Sequence, residues 1–401
     1  MEVDLEIDKN ITINWELEIE HANRGWFSMS GLHNLVLSYS QENNDCFHTK
    51  SKIVKIDDGK ITEIFETKFL LNQPSIDKNG NIYICSHDDY YPERKDNRDT
   101  LLMINPEGKV VWEYLLDDTC SINPVIYHDS VLVYDFNHKA VRFADAGPID
   151  VTDPSRRKFV TYVEPESGHL YNINQDGTLI WKKSFDGNAY NEPLILKRDG
   201  QDSIFLHAFD NYLILDMNGN TLQNKKIGRP DVNGLFANEE GGIYACIHPN
   251  LLSLNMNLDI IWAYKPDIGF VTRRPNTDSH GNLYCGLQGS RMVSLDSHGK
   301  ERWIAEVTGD FGYWPIILKN DDILMVTQQK NGKKPPQIED NTYLEIFSAE
   351  GTKLLKCELP GYEIKTMQDT DGTIFLDTGC RSFPRRHHLR NSIKVFSINI
   401  S

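Results

Sequence analysis

The segment TGCRSFPRRHHLRN, residues 378–391, carries Arg381, Arg385, Arg386 and Arg390 beside His387 and His388, with no acid among them. Clustered guanidinium groups bind carboxylate, sulfate or phosphate through paired N–H donors. A histidine in such a group can take up and return a proton near neutral pH. His387 next to Arg385 or Arg386 would abstract a proton beside a neutralised carboxylate, as a lyase must. Tyr313 would be the matching acid, and His87 the other candidate base. Arg273 adds a clamp, and Trp314 and Tyr190 offer aromatic faces for a sugar or heterocycle. His207 and His248 complete the candidate ligand-binding set: with His87 they approach a common point if their strands converge on an axis. The blander account has solvated cations paired to Asp88, Asp89, Glu93 and Asp96, hydrogen-bonded histidines, and aromatics that plug a channel. No H-x-x-x-H spacing occurs, so a metal site is not expected. G-x-S-x-G, Walker, H-E-x-x-H and EF-hand patterns are also missing.

Cations gather in other segments too. SRRK occupies 155–158, NGKKPPQ occupies 331–337, and Arg94, Lys95 and Arg98 lie close together. Yet the 401 residues carry a net charge of −16. An acidic body with basic segments suits an anionic ligand and repels nucleic acid and anionic membranes. The N-terminus MEVDLEIDKNITINW has acids where a secretory signal has Lys or Arg, and no apolar run follows. Seven scattered cysteines without a C-x-x-C fit a reducing compartment better than a disulfide framework. A cytoplasmic location is expected.

What would position these groups is a repeat. GNIYICS, GGIYACI and GNLYCGL begin at Gly80, Gly241 and Gly281; LLMINPEGKVVW, LYNINQDGTLIW and MVSLDSHGKERW end at Trp112, Trp181 and Trp303. Gly-containing Asp/Asn turns join antiparallel strands, and the Trp of the outer strand can fill the wedge between neighbouring sheets. Strand starts at Leu35, Ile82, Val131, Ile204, Ile243, Leu283, Ile323 and Ile374 are 47, 49, 73, 39, 40, 40 and 51 residues apart. A unit of about forty residues follows. The last unit lacks its outer strand, and ITINWELEI with Trp15 supplies it from the other end of the chain. The expectation is one all-β domain over 1–401, a β-propeller of eight four-stranded blades closed by the N-terminal strand, with seven blades as the alternative.

The Leu-x-x-Asp/Asn-x-x-Gly-x-x-x-Trp units resemble, over nearly the whole chain, the repeats of PQQ-like propellers. That superfold serves quinoprotein alcohol dehydrogenases and an outer-membrane assembly lipoprotein. The resemblance implies a propeller, with Gln223, Leu355 and Glu63 at the Trp position of units four, seven and one. It implies neither activity. The enzymes would carry adjacent cysteines beside the quinone, and this chain has no Cys-Cys dipeptide. The lipoprotein would need a lipidated Cys near its start, and the first here is Cys46. No cofactor is expected.

The surplus residues of the long units fall between the second and third strands, at 40–49, 87–99, 137–168, 328–341 and 378–391. These loops open on the same rim as the connections between blades, and insertions on one face of a repeat protein mark its working face. Two functions fit. One is a recognition module gripping an anionic small molecule or macromolecular partner on this basic rim. The other is a lyase- or transferase-like enzyme acting on an anionic small molecule or oligosaccharide, with arginine clamps and a His/Tyr acid–base pair.

Overall fold

The computed structural model describes residues 11–20, 22–29, 35–42, 48–87, 98–120, 123–136, 167–187, 189, 191–228, 235–238, 241–272, 274–311, 313–329, 341–359, 362–379 and 392–400. They form eight antiparallel sheets, each built from consecutive strands except the last. Blade 1 runs outward through Ala22–Met29, Leu35–Glu42, His48–Asp57 and Lys60–Thr67. Blade 2 has a split inner strand, Leu70–Leu71 and Ser75–Ile76, then Ile82–His87, Thr100–Ile104 and Val110–Leu115. Blade 3 comprises Val125–Tyr127, Ser130–Phe136, Gly168–Asn174 and Leu179–Phe185. Blades 4 to 7 begin at Leu194, Leu235, Asn276 and Asp310, and the inner strand of blade 7 is again split. Blade 8 contains Tyr362–Gln368, Ile374–Gly379 and Ser392–Ile400, and Ile11–Glu20 is its outer strand. That strand pairs from Ile11 opposite Ile400 to Glu20 opposite Ser392. Lys394 bonds Glu16 across the seam at 2.9 Å. The eight-bladed ring closed by the N-terminal strand is therefore the architecture, and the seven-bladed alternative is excluded.

The outer strands share one irregularity. In all eight blades the outer strand skips a residue against the third strand, at Asn14, Ile64, Val111, Ile180, Leu222, Ile261, Arg302 and Leu354. A bulge sharpens the twist and re-aims the next side chain. In five blades that next residue is a tryptophan. Its ring lies over the turn glycine of the following blade, and in four of the five its indole N–H reaches that turn's backbone. Trp112 donates to the Gln175 carbonyl at 2.7 Å, Trp181 to Met217 at 2.9 Å, Trp262 to Ser297 at 3.0 Å and Trp303 to Ala349 at 2.9 Å. Trp15 packs against Gly59 in the same way. In the fourth blade Gln223 replaces Trp and donates to the Asn257 carbonyl at 2.5 Å. The receiving turn there has Leu258 instead of glycine, at φ +58° and fully buried. An indole would have no flat seat on it. Glu63, placed at the Trp position by sequence, bonds Lys52 instead, and the bulge of blade 1 falls one residue after that position where in the other blades it falls one before. There the Ile64 carbonyl faces Gly108.

Between these seams each pair of blades shares an apolar layer, such as Tyr83, Leu101, Val131 and Tyr171 between blades 2 and 3. His207 belongs to such a layer. It is 1% exposed, lies 6.0 Å from the Tyr212 ring, and burial lowers its pKa to about 4.

Two outcomes are expected. At Gly219, φ is +81° and an added Cβ would meet the Trp181 ring at 2.9 Å; at Gly200, φ is +79° and nothing lies within 4 Å. Gly200→Ala should cost about 1–2 kcal/mol of left-handed strain. Gly219→Ala should cost about 1–3 kcal/mol more, measured by urea midpoint. His207 is held neutral in the fold, so its contribution is intact above the unfolded pKa near 6.5 and is lost as pH falls towards 4. That loss is about 3 kcal/mol, and His207→Gln should flatten this part of the stability–pH curve.

Candidate functional site

The rim that receives the connections between blades also receives the ends of the second strands and the starts of the third. Two histidine–carboxylate pairs stand there, in blades 2 and 3. His87, the last residue of its strand, faces the Asp99 carboxylate through Nδ1 at 2.8 Å and the Asn72 Oδ1 through Nε2 at 2.6 Å. The Asn72 amide is oriented by its other end, where Nδ2 donates to the Cys120 carbonyl at 2.8 Å. Both ring nitrogens therefore face acceptors, and only a doubly protonated ring donates to both. Asp99 also accepts the Cys120 N–H at 2.6 Å. His87 thus ties a connection in place. Neither of its nitrogens can serve a substrate without releasing a partner.

In blade 3 the pair is reversed, with the carboxylate on the second strand and the histidine opposite it on the third. Asp135 is fully buried. Its Oδ2 accepts the N–H groups of Asp117 and Asp118 at 3.0 Å each and the Tyr171 hydroxyl at 2.6 Å. Its Oδ1 meets His169 Nδ1 at 2.7 Å. Lys182 pairs with Asp117 and holds that carboxyl below its usual range. Asp118 is pushed the other way, first by burial and then by the charge of Asp135. Asp118, Asp135 and His169 bring ligating atoms within 4.8 Å of one another. Carboxylate and imidazole together suit a divalent cation. Four donors already occupy Asp135, so a cation would rest on Asp118 and His169 alone, with Asp135 orienting the imidazole from behind. Sequence reasoning did not single out this trio. The 31 residues from 137 to 167 separate the two halves of the Asp135–His169 pair, and only the strand register brings them opposite.

Blade 7 uses the same device. Glu345, 0% exposed, accepts Thr308 N–H at 2.8 Å, the Thr308 and Thr327 hydroxyls at 2.9 and 3.1 Å, and Lys353 at 2.5 Å.

Closer to the axis, Asn123, Glu192 and Arg274 each stand two residues before the inner strand of their blade, and Trp314 stands two residues before the second piece of the split inner strand of blade 7. Four blades thereby present one equivalent position at the channel mouth. Asn123 donates to Glu192 at 2.5 Å. Glu192 keeps exposed surface yet is hemmed in by protein, as a side chain facing a channel is; burial raises its pKa, while Asn123 and then Arg274 pull it down. The Arg274 guanidinium stacks 4.8 Å above the Trp314 ring. The Tyr313 ring lies against Trp314 with centroids 3.6 Å apart. The Arg274 Nε is buried and has no hydrogen-bond partner among the described residues.

Of the residues singled out by sequence, Tyr313 and Trp314 therefore meet at this mouth, where Trp314 supports an arginine. His87 lies in the blade 2 pair. His207 is inside blade 4, and His248 is exposed with its ring 4.6 Å from Phe270. The three histidines thus occupy three separate settings. His387, Arg273, Arg381, Arg385, Arg386 and Tyr190 lie outside the described residues, as do half of the loop 40–49 and most of each of the other four long loops. No helix among the described residues is long and apolar enough to cross a membrane.

No protein-family model matches the chain, and no curated protein matches it in sequence. Solved structures do match. BamB from Moraxella catarrhalis superposes with a TM-score of 0.62 at 10% identity, over 97% of this chain and 100% of that one. Quinohemoprotein alcohol dehydrogenase from Comamonas testosteroni gives 0.59 at 10% identity, over 96% and 76%. The C-terminal WD40 domain of Sif2 gives 0.58 at 8% identity, over 96% and 98%. At such identities the likeness is one of fold. It extends to several kinds of propeller, of which the PQQ-like kind is one.

Proposed function

We propose that this propeller is a recognition module that takes an anionic group at the axial mouth of its loop-rich rim. The observation that carries this reading is Arg274. Its guanidinium carbon lies 4.8 Å over the Trp314 ring, and its buried Nε has no partner among the described residues. A guanidinium fixed by stacking loses little further freedom when it binds a carboxylate or phosphate bidentately. Glu192 nearby sets a limit on the ligand, because a second negative group on that side would be repelled. The basic segments of the long loops, Arg381, Arg385 and Arg386 among them, would steer an anion towards an otherwise acidic protein.

A second reading rests on a separate observation. Asp135 fixes the Nδ1 side of His169, and Asp118 sits beside them with its ionised form disfavoured. A carboxylate–imidazole pair with a perturbed acid next to it is the arrangement acid–base chemistry uses. An enzyme acting on the same anion would draw its proton transfers from here rather than from His87.

Titration with inorganic phosphate, sulfate, citrate and a sugar phosphate tests the first reading. One of these is expected to raise the melting temperature, by an amount equivalent to about 2.7 kcal/mol at a hundredfold excess over Kd. Arg274→Ala should weaken that ligand at least about tenfold, the loss of one charged hydrogen-bonding partner, while the unliganded melting temperature moves little. Silence across the four anions, or a hit untouched by Arg274→Ala, would refute it.

A further inference from the structure

Cys85 and Cys120 are both 0% exposed, and their sulfurs are 2.8 Å apart. That is less than 1 Å beyond the ~2.05 Å of a covalent S–S bond. Cys85 lies on the second strand of blade 2, and Cys120 on the connection that leaves this blade for blade 3. Both backbones are held. The Cys85 carbonyl accepts the Asn72 N–H at 3.0 Å, and the Cys120 carbonyl accepts the Asn72 side-chain amide at 2.8 Å. The Cys120 N–H is bonded to Asp99. One asparagine therefore grips both cysteines, and the sulfurs have little freedom to separate.

We propose that Cys85 and Cys120 are an oxidative modification site, at which a peroxide joins the two thiols into an intramolecular disulfide. The first sulfur, as thiolate, attacks one peroxide oxygen. The O–O bond breaks, a sulfenic acid forms, and the other oxygen leaves as water after protonation. The second thiol then attacks the sulfenic sulfur, the S–S bond forms, and a second water departs. The sulfurs lose two electrons in all and the peroxide gains them. Burial, the neighbouring Cys120 and then Asp99 and Asp135 keep the Cys85 thiol protonated, so the first step is slow. Once formed, the bond fastens the connection carrying Asp117 and Asp118 to the strand carrying His87. Both histidine–carboxylate pairs of the rim then share one covalent anchor. The idea does not depend on the anion reading.

The test uses the full chain in its native state. Hydrogen peroxide is applied, the protein is denatured in an alkylating agent, and the digest is mapped by mass spectrometry without reduction. Lys109 and Arg98 lie between the two cysteines, so trypsin separates them. The expected product is a linked pair of peptides, two hydrogens lighter than the sum and separated by a reductant. The melting temperature should rise by about 4 °C or more on oxidation and fall back on reduction. Cys120→Ala should abolish both changes. If that variant does not fold, the wild-type peptide map still decides. Alkylation of both cysteines after peroxide treatment would overturn the proposal, and so would sulfinic or sulfonic acid on either one without the cross-link.

Discussion

The ring depends on a tryptophan seated on a glycine. A sheet with one turn of residues to spare on its outer edge has no intrinsic reason to stand beside its neighbour. The bulge in each outer strand supplies the tilt, the indole supplies area and a donor, and the glycine of the next turn supplies a surface without a side chain. Five of the eight seams are thus specified by two residues, 37 to 65 positions apart, one in each blade. Of the three blades without the tryptophan, the fourth fits the rule. Where the receiving turn carries Leu258, the sender is Gln223, which keeps the hydrogen bond and drops the ring.

Seams of this kind fix the outer girth but leave the inner rim to polar chemistry. The connections between blades carry backbone N–H groups that no strand satisfies. Asp99, Asp135 and Glu345 satisfy them from inside the sheets. A buried carboxylate is costly unless donors surround it, and each of these three is surrounded. The rim is therefore rigid where the connections leave the blades. Side chains next to those anchors, such as Asp118 and His169, inherit their positions from it.

The girth was far more legible in the sequence than the rim. The Gly-x-x-x-Trp spacing is local, so Trp112, Trp181 and Trp303 announced their turns directly. The 73-residue gap after Val131 is one unit with an insertion, because strand register continues across it from Asp135 to His169. The trio around Asp135 was not legible for the same reason. Its members lie on one connection and two strands, and their meeting depends on a ladder interrupted by 137–167. His207 shows the opposite failure: its residue type suggested chemistry, but its place in the strand turns it into an apolar layer. At the mouth, Trp314 was singled out as a face for a ligand. Arg274 already occupies that face.

Closure by Ile11–Glu20 has a consequence for how the molecule is made. The residues it joins, from Ile11 opposite Ile400, are separated by almost the whole described chain. Blades 1 to 7 each complete themselves from neighbouring strands and can assemble in order behind one another. The eighth must wait until residue 400 exists, and until then two unpaired strand edges stand open at the two ends of a growing arc. Ring formation is thus a last, long-range event.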